Sequence, residues 1–277
     1  MKLGMPTLVE FRTVDQNVRL CHELGLDFIE LNMNLPICLP EYLDSRQIRQ
    51  LGEDYAIGFS VHLPEELDLS SFHPSIRHGH LERCKQTIDW AGEAGVAIVN
   101  MHLNNGIYFT LPDRKVWIND RYQPDFLQYL LESYASLYAY ADSAGVQICI
   151  ENAGNFHLSF IGEALGKLSS FARFGLTWDV GHDAKADYKE TAVLMRHRQA
   201  IRHMHLHDYN GISDHQPLFS GDVPILDRLQ FAQVHGLSVV IEMKTSDSLE
   251  QSVRLIRNRM MPGDEGEAGD GHRISDQ

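Results

Sequence analysis

The sequence predicts a single eight-stranded α/β barrel in which each strand is followed by a helix. One pattern recurs: a helix ends at a glycine, a short apolar run follows, and a polar residue closes the run. Glycine takes the left-handed conformation at a helix end at little cost, and such an apolar run is typical of a buried parallel strand. The pattern occurs four times, at 22–32 (HELGLDFIELN), 92–103, 142–152 and 233–244.

Four further apolar runs bring the number of predicted strands to eight, at 3–10, 56–63, 174–181 and 201–207. Amphipathic segments lie between the runs and predict helices at 75–95, 124–145, 159–172, 187–200, 224–236 and 247–260. Eight strands alternating with about eight helices match a (β/α)8 TIM barrel at this chain length. An open doubly wound sheet is the competing fold, but no glycine-rich phosphate loop follows the first strand.

The domain prediction is one barrel over residues 1–261 followed by a tail over 262–277. The tail, PGDEGEAGDGHRISDQ, is acidic and glycine-rich and has no apolar periodicity. Such a segment buries too little apolar surface to offset the entropy of ordering, so we predict that it is disordered.

Composition favours a soluble protein of the cytoplasm. There is no apolar run of ~18 residues and no signal-peptide layout at the N-terminus, so we expect no membrane partner. The four cysteines are scattered and form no C-x-x-C pair, which is typical of reduced thiols. A net charge of −14 repels polyanions and so argues against a nucleic-acid partner, although a local basic cleft would still be compatible with such a partner. The sequence does not determine the oligomeric state and is compatible with a homo-oligomer.

Acidic and imidazole side chains close most of the predicted strands. Because the active site of such a barrel lies at the C-terminal strand ends, these residues should meet at one mouth. So many carboxylates in one desolvated place require a compensating positive charge, and one divalent ion, Mn²⁺, Mg²⁺, Co²⁺ or Zn²⁺, would supply it. The residues are Glu30, His62, His102, Glu151, Asp179, His205 and Glu242.

Each strand-end residue also has a purely structural interpretation. A single glutamate at a strand end is more often a salt-bridge acceptor than a metal ligand, and Glu30 could cap the barrel mouth structurally. His203 and His207 share the inward parity of His205, so some of these histidines could form only a polar layer or rim. Trp178 has the opposite parity to Asp179 and should pack beneath the helices.

Seven motifs together resemble the xylose-isomerase-like barrel superfamily, in the order in which that superfamily carries them. The motifs are VHLPEELDLSS (61–71), NMHLNNG (100–106), CIENAGN (149–155), TWDVGHD (177–183), HMHLHD (203–208), DHQPLFSGD (214–222) and VIEMK (240–244). The superfamily includes sugar and sugar-phosphate isomerases and epimerases, and also endonuclease IV. The resemblance therefore implies a sugar or sugar phosphate as the substrate.

The epimerase branch implies a site for one divalent metal, held here by Glu151, Asp179, His205 and Glu242. Glu151 and Glu242 would also exchange the substrate proton through an enediolate. Four histidines, and Lys244 through its shared inward parity with Glu242, are expected around the substrate. His182 would bind a substrate oxygen, and Lys244 would either meet a hydroxyl or phosphate or form a rim salt bridge. The remaining pocket residues are His62, His102 and His215.

The endonuclease branch implies a different activity, that of a phosphodiesterase with three zinc ions. Its third zinc requires an Asp-x-His pair, whereas this chain has Ser213-Asp214-His215, with the aspartate shifted by one position. Adjacent residues project in different directions, so Asp214 does not simply replace the missing ligand. The strand-end loops also carry no basic cluster. A third possibility is a barrel that binds metal or sugar without turnover, or that catalyses another reaction such as dehydration.

Overall fold

The computed structural model describes residues 1–260, and within them eight parallel strands close into a barrel. Neighbouring strands follow chain order, and the first strand pairs with the last. The predicted fold is therefore confirmed, while the predicted tail lies outside the described residues. The barrel strands are β1 (Lys2–Pro6), β2 (Phe28–Asn32), β3 (Gly58–His62), β4 (Ile98–His102), β7 (Gln147–Glu151), β8 (Gly175–Asp179), β9 (Ile201–Leu206) and β10 (Ser238–Ile241).

The helices surround the barrel, and two of them show the predicted glycine ends clearly. Gly95 and Gly236 follow their helices with φ of 79° and 67°, a conformation that residues with a Cβ adopt only with strain. The helices are α1 (Val14–Glu23), α2 (Ser45–Tyr55), α3 (Pro74–Ala94), α4 (Ile118–Arg121), α5 (Gln123–Ser143), α6 (Ser159–Leu168), α7 (Val180–Lys185), α8 (Thr191–Arg196), α9 (Ile225–His235) and α10 (Ser246–Met260).

Two predicted elements have different ends in the structure. The strand predicted at 174–181 ends at Asp179, because the carboxylate of Asp179 accepts the N–H of His182 and starts α7. The helix predicted from residue 187 begins only at Thr191, since Asp187 and Tyr188 have left-handed φ of 55° and 56°. The segment 104–122 contains a hairpin of β5 (Tyr108–Thr110) and β6 (Lys115–Trp117).

The core lies between the barrel and the helices, with inward and outward side chains alternating along each strand. Trp178 points outward from β8 and is buried against Phe231 of α9, as its parity predicts. All four cysteines are buried and unpaired within residues 1–260. None of the helices in this part of the chain is long and apolar enough to cross a bilayer.

Candidate active site

The four predicted metal ligands converge at the C-terminal mouth of the barrel. His205 Nδ1 lies 3.1 Å from Glu151 Oε1, 3.3 Å from Glu242 Oε2 and 3.9 Å from Asp179 Oδ2. Three of the four side chains are almost fully buried, and Glu242 is half-buried. One imidazole nitrogen therefore faces three carboxylate oxygens in a place that water scarcely reaches.

Two of these converging atoms remain unsatisfied. His205 Nδ1 and Glu242 Oε2 are buried and make no well-aligned hydrogen bond with any described residue. Leaving a buried polar atom unpaired is costly, so such atoms usually have an ion or ligand as partner. A nitrogen with several carboxylate oxygens is a donor set that Mn²⁺, Co²⁺, Zn²⁺ or Mg²⁺ accepts. The residues present thus fit one divalent cation.

The electrostatics of the two glutamates are dominated by burial and by His205. Burial alone would raise the pKa of Glu151, but His205 and His102 outweigh it and hold that pKa well below the usual range. Burial would also raise the pKa of Glu242, but His205, His215 and Lys244 outweigh it and hold that pKa well below the usual range. Both groups are therefore carboxylates at neutral pH, ready to bind a cation or to accept a proton.

The outer oxygen of Glu151 has its own donors on β3 and β4. Its Oε2 lies 3.2 Å from His62 Nε2 and 3.5 Å from His102 Nε2, and it also accepts the side-chain amide of Asn100. Glu151 outweighs burial and raises the pKa of His62 to about 9. Sequence reasoning missed Asn100, although it lies two residues before His102 and therefore shares its inward parity.

The outer oxygen of Glu242 has a second and separate set of donors. Its Oε1 lies 3.2 Å from His215 Nε2 and accepts a hydrogen bond of 2.8 Å from Lys244 Nζ. Lys244 thus forms the rim ion pair while its side chain also lines the cavity mouth. His215 has a left-handed φ of 54°, and its Nε2 faces Glu242.

His182 lies on α7 beside Asp179, one of the predicted ligands. Its Nδ1 is 3.3 Å from Asp179 Oδ2, and this buried nitrogen makes no aligned hydrogen bond among residues 1–260. Burial lowers the pKa of His182, but Asp179 outweighs burial and raises it above its usual value. Its Nε2 lies 3.8 Å from Asp214 Oδ2, and Asp214 is itself paired with Lys185 at 2.7 Å.

His207, which sequence reasoning did not assign to the site, contacts Asp179 from the other side. Its Nε2 lies 3.2 Å from Asp179 Oδ2, while its Nδ1 accepts the backbone N–H of His215 at 2.9 Å. Burial lowers the pKa of His207 and Asp179 raises it, to about 9. The donated backbone hydrogen nevertheless excludes a proton on Nδ1. We therefore assign a neutral ring with its hydrogen on Nε2, directed at Asp179.

A buried carboxylate fixes the loop that follows β7. Glu190 accepts backbone N–H groups of Asn155 at 2.7 Å and of Phe156 at 2.8 Å, and the side-chain amide of Asn152 at 2.8 Å. Asn152 in turn exchanges two hydrogen bonds with the backbone of Asp179. The loop and the metal-ligand position are therefore connected through one buried network.

A second layer lies beneath the four ligands, deeper in the barrel. Glu30 accepts hydrogen bonds from His203 Nε2 at 2.9 Å and from Ser60 Oγ at 3.2 Å, and its Oε1 lies 2.7 Å from His205 Nε2. His203 Nδ1 is 2.6 Å from Ser238 Oγ. Burial would raise the pKa of Glu30, but His205 and His203 outweigh it and hold that pKa far below its usual range.

Comparison with known proteins confirms the resemblance found in the sequence. The family model described as xylose isomerase-like TIM barrel matches residues 18–259, so the chain belongs to that family. A comparison with curated protein sequences gives no significant match.

Solved structures share the fold at low sequence identity. A D-tagatose 3-epimerase-like protein has a TM-score of 0.73 at 22% identity, covering 94% of this chain and 97% of its own. The probable 3-DHS dehydratase AsbF from Bacillus anthracis has a TM-score of 0.73 at 16% identity, with 94% and 100% covered. The IOLI protein, with a bound zinc atom, has a TM-score of 0.70 at 17% identity, with 94% and 97% covered.

Proposed function

We propose that this protein is a divalent-metal-dependent isomerase or epimerase of a sugar or sugar phosphate. The observation that supports this most strongly is the arrangement of Glu151 and Glu242. Each directs one carboxylate oxygen to within 3.3 Å of His205 Nδ1 and its other oxygen to donors of its own. Two ionised carboxylates beside one cation position are what proton removal next to a carbonyl requires.

Glu151, Asp179, His205 and Glu242 would hold the cation. When bound, a divalent cation stabilises the negative charge that develops on a carbonyl oxygen, by several kcal/mol. The carboxylate of Asp179 is oriented by two contacts: Oδ1 accepts the backbone N–H of His182 at 2.6 Å, and Oδ2 contacts His207 Nε2. The zinc atom in the IOLI structure is compatible with this use of the fold.

Glu151 and Glu242 would exchange the substrate proton. They lie at the ends of β7 and β10, with β8 and β9 between them, so they approach the cavity from different sides. One carboxylate would remove the proton next to the carbonyl, giving an enediolate and a carboxylic acid. The other would first take up a proton from solvent and then deliver it to the enediolate carbon, and the first would release its proton to solvent. Because both pKa values are depressed, both groups start as bases at neutral pH.

The remaining cavity residues would bind the polyol. Imidazoles donate to and accept from hydroxyl groups, and an exposed ammonium group suits a hydroxyl or a phosphate. A phosphate on the substrate would compete with Glu242 for Lys244, whose side chain is half exposed at the rim. The residues assigned to the substrate are His62, His102, His182, His215 and Lys244.

A second candidate function is a multi-zinc phosphodiesterase. The position of His62 and His102 favours this function. One ring nitrogen of each histidine and an oxygen of Glu151 lie within 4.8 Å of one another, which is close enough to hold a second ion. Near the third zinc position, ring nitrogens of His182, His207 and His215 lie within 4.8 Å of one another, but both nitrogens of His207 already have partners. Asp214 is paired with Lys185.

Solvent exchange of substrate hydrogen tests the proposal directly. The metal-loaded protein would be incubated in D₂O with ketopentoses, ketohexoses and their phosphates, and deuterium at the carbon next to the carbonyl would be followed by NMR. Incorporation with formation of the epimer or isomer supports the proposal. Loss of water without an epimer would indicate a dehydratase, and hydrolysis of bis(p-nitrophenyl) phosphate in place of exchange would support the phosphodiesterase.

A further inference from the structure

Glu30 is a buried carboxylate that the proton-transfer scheme does not use. Its side chain is 4% exposed and lies below the cation position, on the far side of the His205 ring. Glu30 Oε1 is 2.7 Å from His205 Nε2, while the opposite ring nitrogen, Nδ1, faces Glu151 and Glu242. One imidazole thus separates the Glu30 carboxylate from the cluster of metal ligands.

We propose that Glu30 is a positioning residue for the metal centre, which keeps the hydrogen of His205 on Nε2 and so presents Nδ1 to the cation. This inference rests on the proposed metal dependence. Glu30 would not touch the substrate or the cation itself. It would act only through the orientation and basicity of the His205 ring.

The first argument concerns where the hydrogen of the His205 ring can lie. An ionised carboxylate only accepts hydrogens, and its negative charge 2.7 Å from His205 Nε2 favours the ring form that carries a hydrogen on that nitrogen. A ring that binds a cation is neutral and has a single hydrogen, so a hydrogen on Nε2 leaves the lone pair on Nδ1. The contact is not aligned as a hydrogen bond, so its effect on His205 is mainly electrostatic. A carboxylate behind a ligating imidazole fixes the ring and makes it a stronger ligand.

The second argument concerns what holds Glu30 in place. Its two oxygens have different partners: Oε1 contacts His205, and Oε2 accepts from His203 and from Ser60. His203 is held in turn by Ser238, whose Oγ lies 2.6 Å from Nδ1. The carboxylate is therefore braced from strands β3, β9 and β10, as a rigid support for a metal ligand should be.

A competing interpretation is that Glu30, His203 and His205 hold an ion of their own, since their ligand atoms lie within 4.8 Å of one another. However, His203 has a partner at each ring nitrogen, Ser238 at 2.6 Å and Glu30 at 2.9 Å. His203 would have to give up one of these contacts to bind a cation. The geometry therefore favours a supporting role for Glu30.

The test compares Co²⁺ affinity in three proteins: wild type, Glu30→Gln and Glu23→Gln. The dissociation constant is measured by competition with a chromophoric chelator, alongside the Co²⁺ absorption spectrum and the Tm of the metal-free protein. Loss of a supporting carboxylate behind a ligand histidine weakens metal binding by roughly 10- to 100-fold, so we expect a loss of this size for Glu30→Gln. Glu23→Gln removes an exposed carboxylate at the end of α1, remote from the His205 ring, and should leave the affinity unchanged.

The outcomes separate this inference from the proposed function. A Glu30→Gln protein with a lowered Tm but wild-type Co²⁺ affinity and spectrum would overturn the inference while leaving the metal site intact. A second Co²⁺ equivalent that disappears with Glu30 would overturn it in favour of a separate ion site. Wild-type protein that takes up no Co²⁺ would overturn the metal dependence and the inference together.

A measurement on the wild type keeps the inference testable if Glu30→Gln does not fold. In protein labelled with ¹⁵N at its histidine rings and loaded with Zn²⁺, the His205 ring should carry hydrogen on Nε2 and the metal on Nδ1. The opposite assignment, with the metal on Nε2, would contradict a role for Glu30 behind the ring.

Discussion

His205 Nδ1 lies 3.1 Å from Glu151 Oε1, and no described residue gives that buried nitrogen a well-aligned hydrogen bond. Burial lowers the pKa of His205, but Glu151, Glu30 and Glu242 outweigh it and raise the pKa well above the usual value. Without a metal, a proton on this ring compensates the carboxylates. A divalent cation bound at Nδ1 would take over that task.

Replacing Glu151 or Glu242 by glutamine should remove turnover. Each variant loses a proton-transfer group, which is worth ~10²–10⁴-fold in rate, and a charged cation ligand as well. The measurement is kcat at saturating metal on the substrate identified by hydrogen exchange. Glu250→Gln, on the exposed face of α10, is the matched control and should retain wild-type kcat. Full turnover by either site variant would rule out the two-glutamate scheme.

His207→Gln should weaken metal binding through Asp179. The neutral His207 ring donates from Nε2 to Asp179 and is fixed by the N–H of His215, so its loss frees one ligand to rotate. We expect the Co²⁺ dissociation constant to rise by roughly tenfold or more. His78→Gln, on the exposed surface of α3, controls for histidine loss. Equal affinities in the two variants would show that His207 only packs against its neighbours.

Metal uptake should release protons and become stronger as the pH rises. The raised pKa of His205 means that Nδ1 carries a hydrogen at neutral pH in the metal-free protein, and the cation must displace it. Titration calorimetry in two buffers of different ionisation enthalpy measures the number of protons released. About one proton per cation near pH 7 is expected. Uptake without proton release would contradict the assigned charge of His205.

The metal-free protein should lose stability as the pH rises above neutrality. Glu151 raises the folded-state pKa of His62 to about 9, from an unfolded value near 6.5. The stabilising contribution of this ion pair is therefore complete below pH ~6.5 and disappears as the pH passes ~9. Urea unfolding of metal-free protein at several pH values measures it. The prediction would be contradicted if the free energy of unfolding rose between pH ~6.5 and ~9 in the wild type but not in His62→Gln.

Glu190 does not contact the predicted metal ligands, but its replacement by alanine should destabilise the folded protein. The change leaves the N–H groups of Asn155 and Phe156 and the amide of Asn152 without their acceptor in a buried place. Each unsatisfied buried group costs ~1–3 kcal/mol, so a loss of about 3 kcal/mol or more is expected. Glu163→Ala, at the exposed surface of α6, is the control for glutamate loss in thermal unfolding. Equal Tm values would exclude a structural role for Glu190.

The sequence predicted the barrel and the convergence of the strand-end residues because both depend on local patterns, whereas the choice of four of them as metal ligands came from the family resemblance. Apolar runs after helix-ending glycines located the strands, and the last polar residue of a strand must point toward the mouth. His203 and His207 were placed inside by parity, but their roles could not be assigned. Which imidazole nitrogen meets Asp179 or Glu30 depends on contacts across the barrel, such as the 2.9 Å bond from the His215 backbone to His207.

Glu190 is a buried residue whose structural role could not be predicted from sequence patterns. It lies between two short helices, at a position that looks like ordinary surface, yet it is fully buried. Its partners at 152–156 are more than thirty residues away in the chain. A contact of this kind has no periodicity, and only the folded arrangement of the β7 and β8 loops reveals it.

The most direct measurement is the metal content per chain, by elemental analysis of untagged protein purified without chelator. The proposed function predicts about one equivalent of Mn, Co, Mg or Zn, which the Glu151→Gln and His205→Ala proteins lose. Two or three zinc ions per chain would support the phosphodiesterase alternative. Protein that holds no metal, even after incubation with each of these ions, would contradict the central claim that the carboxylates around His205 form a cation site.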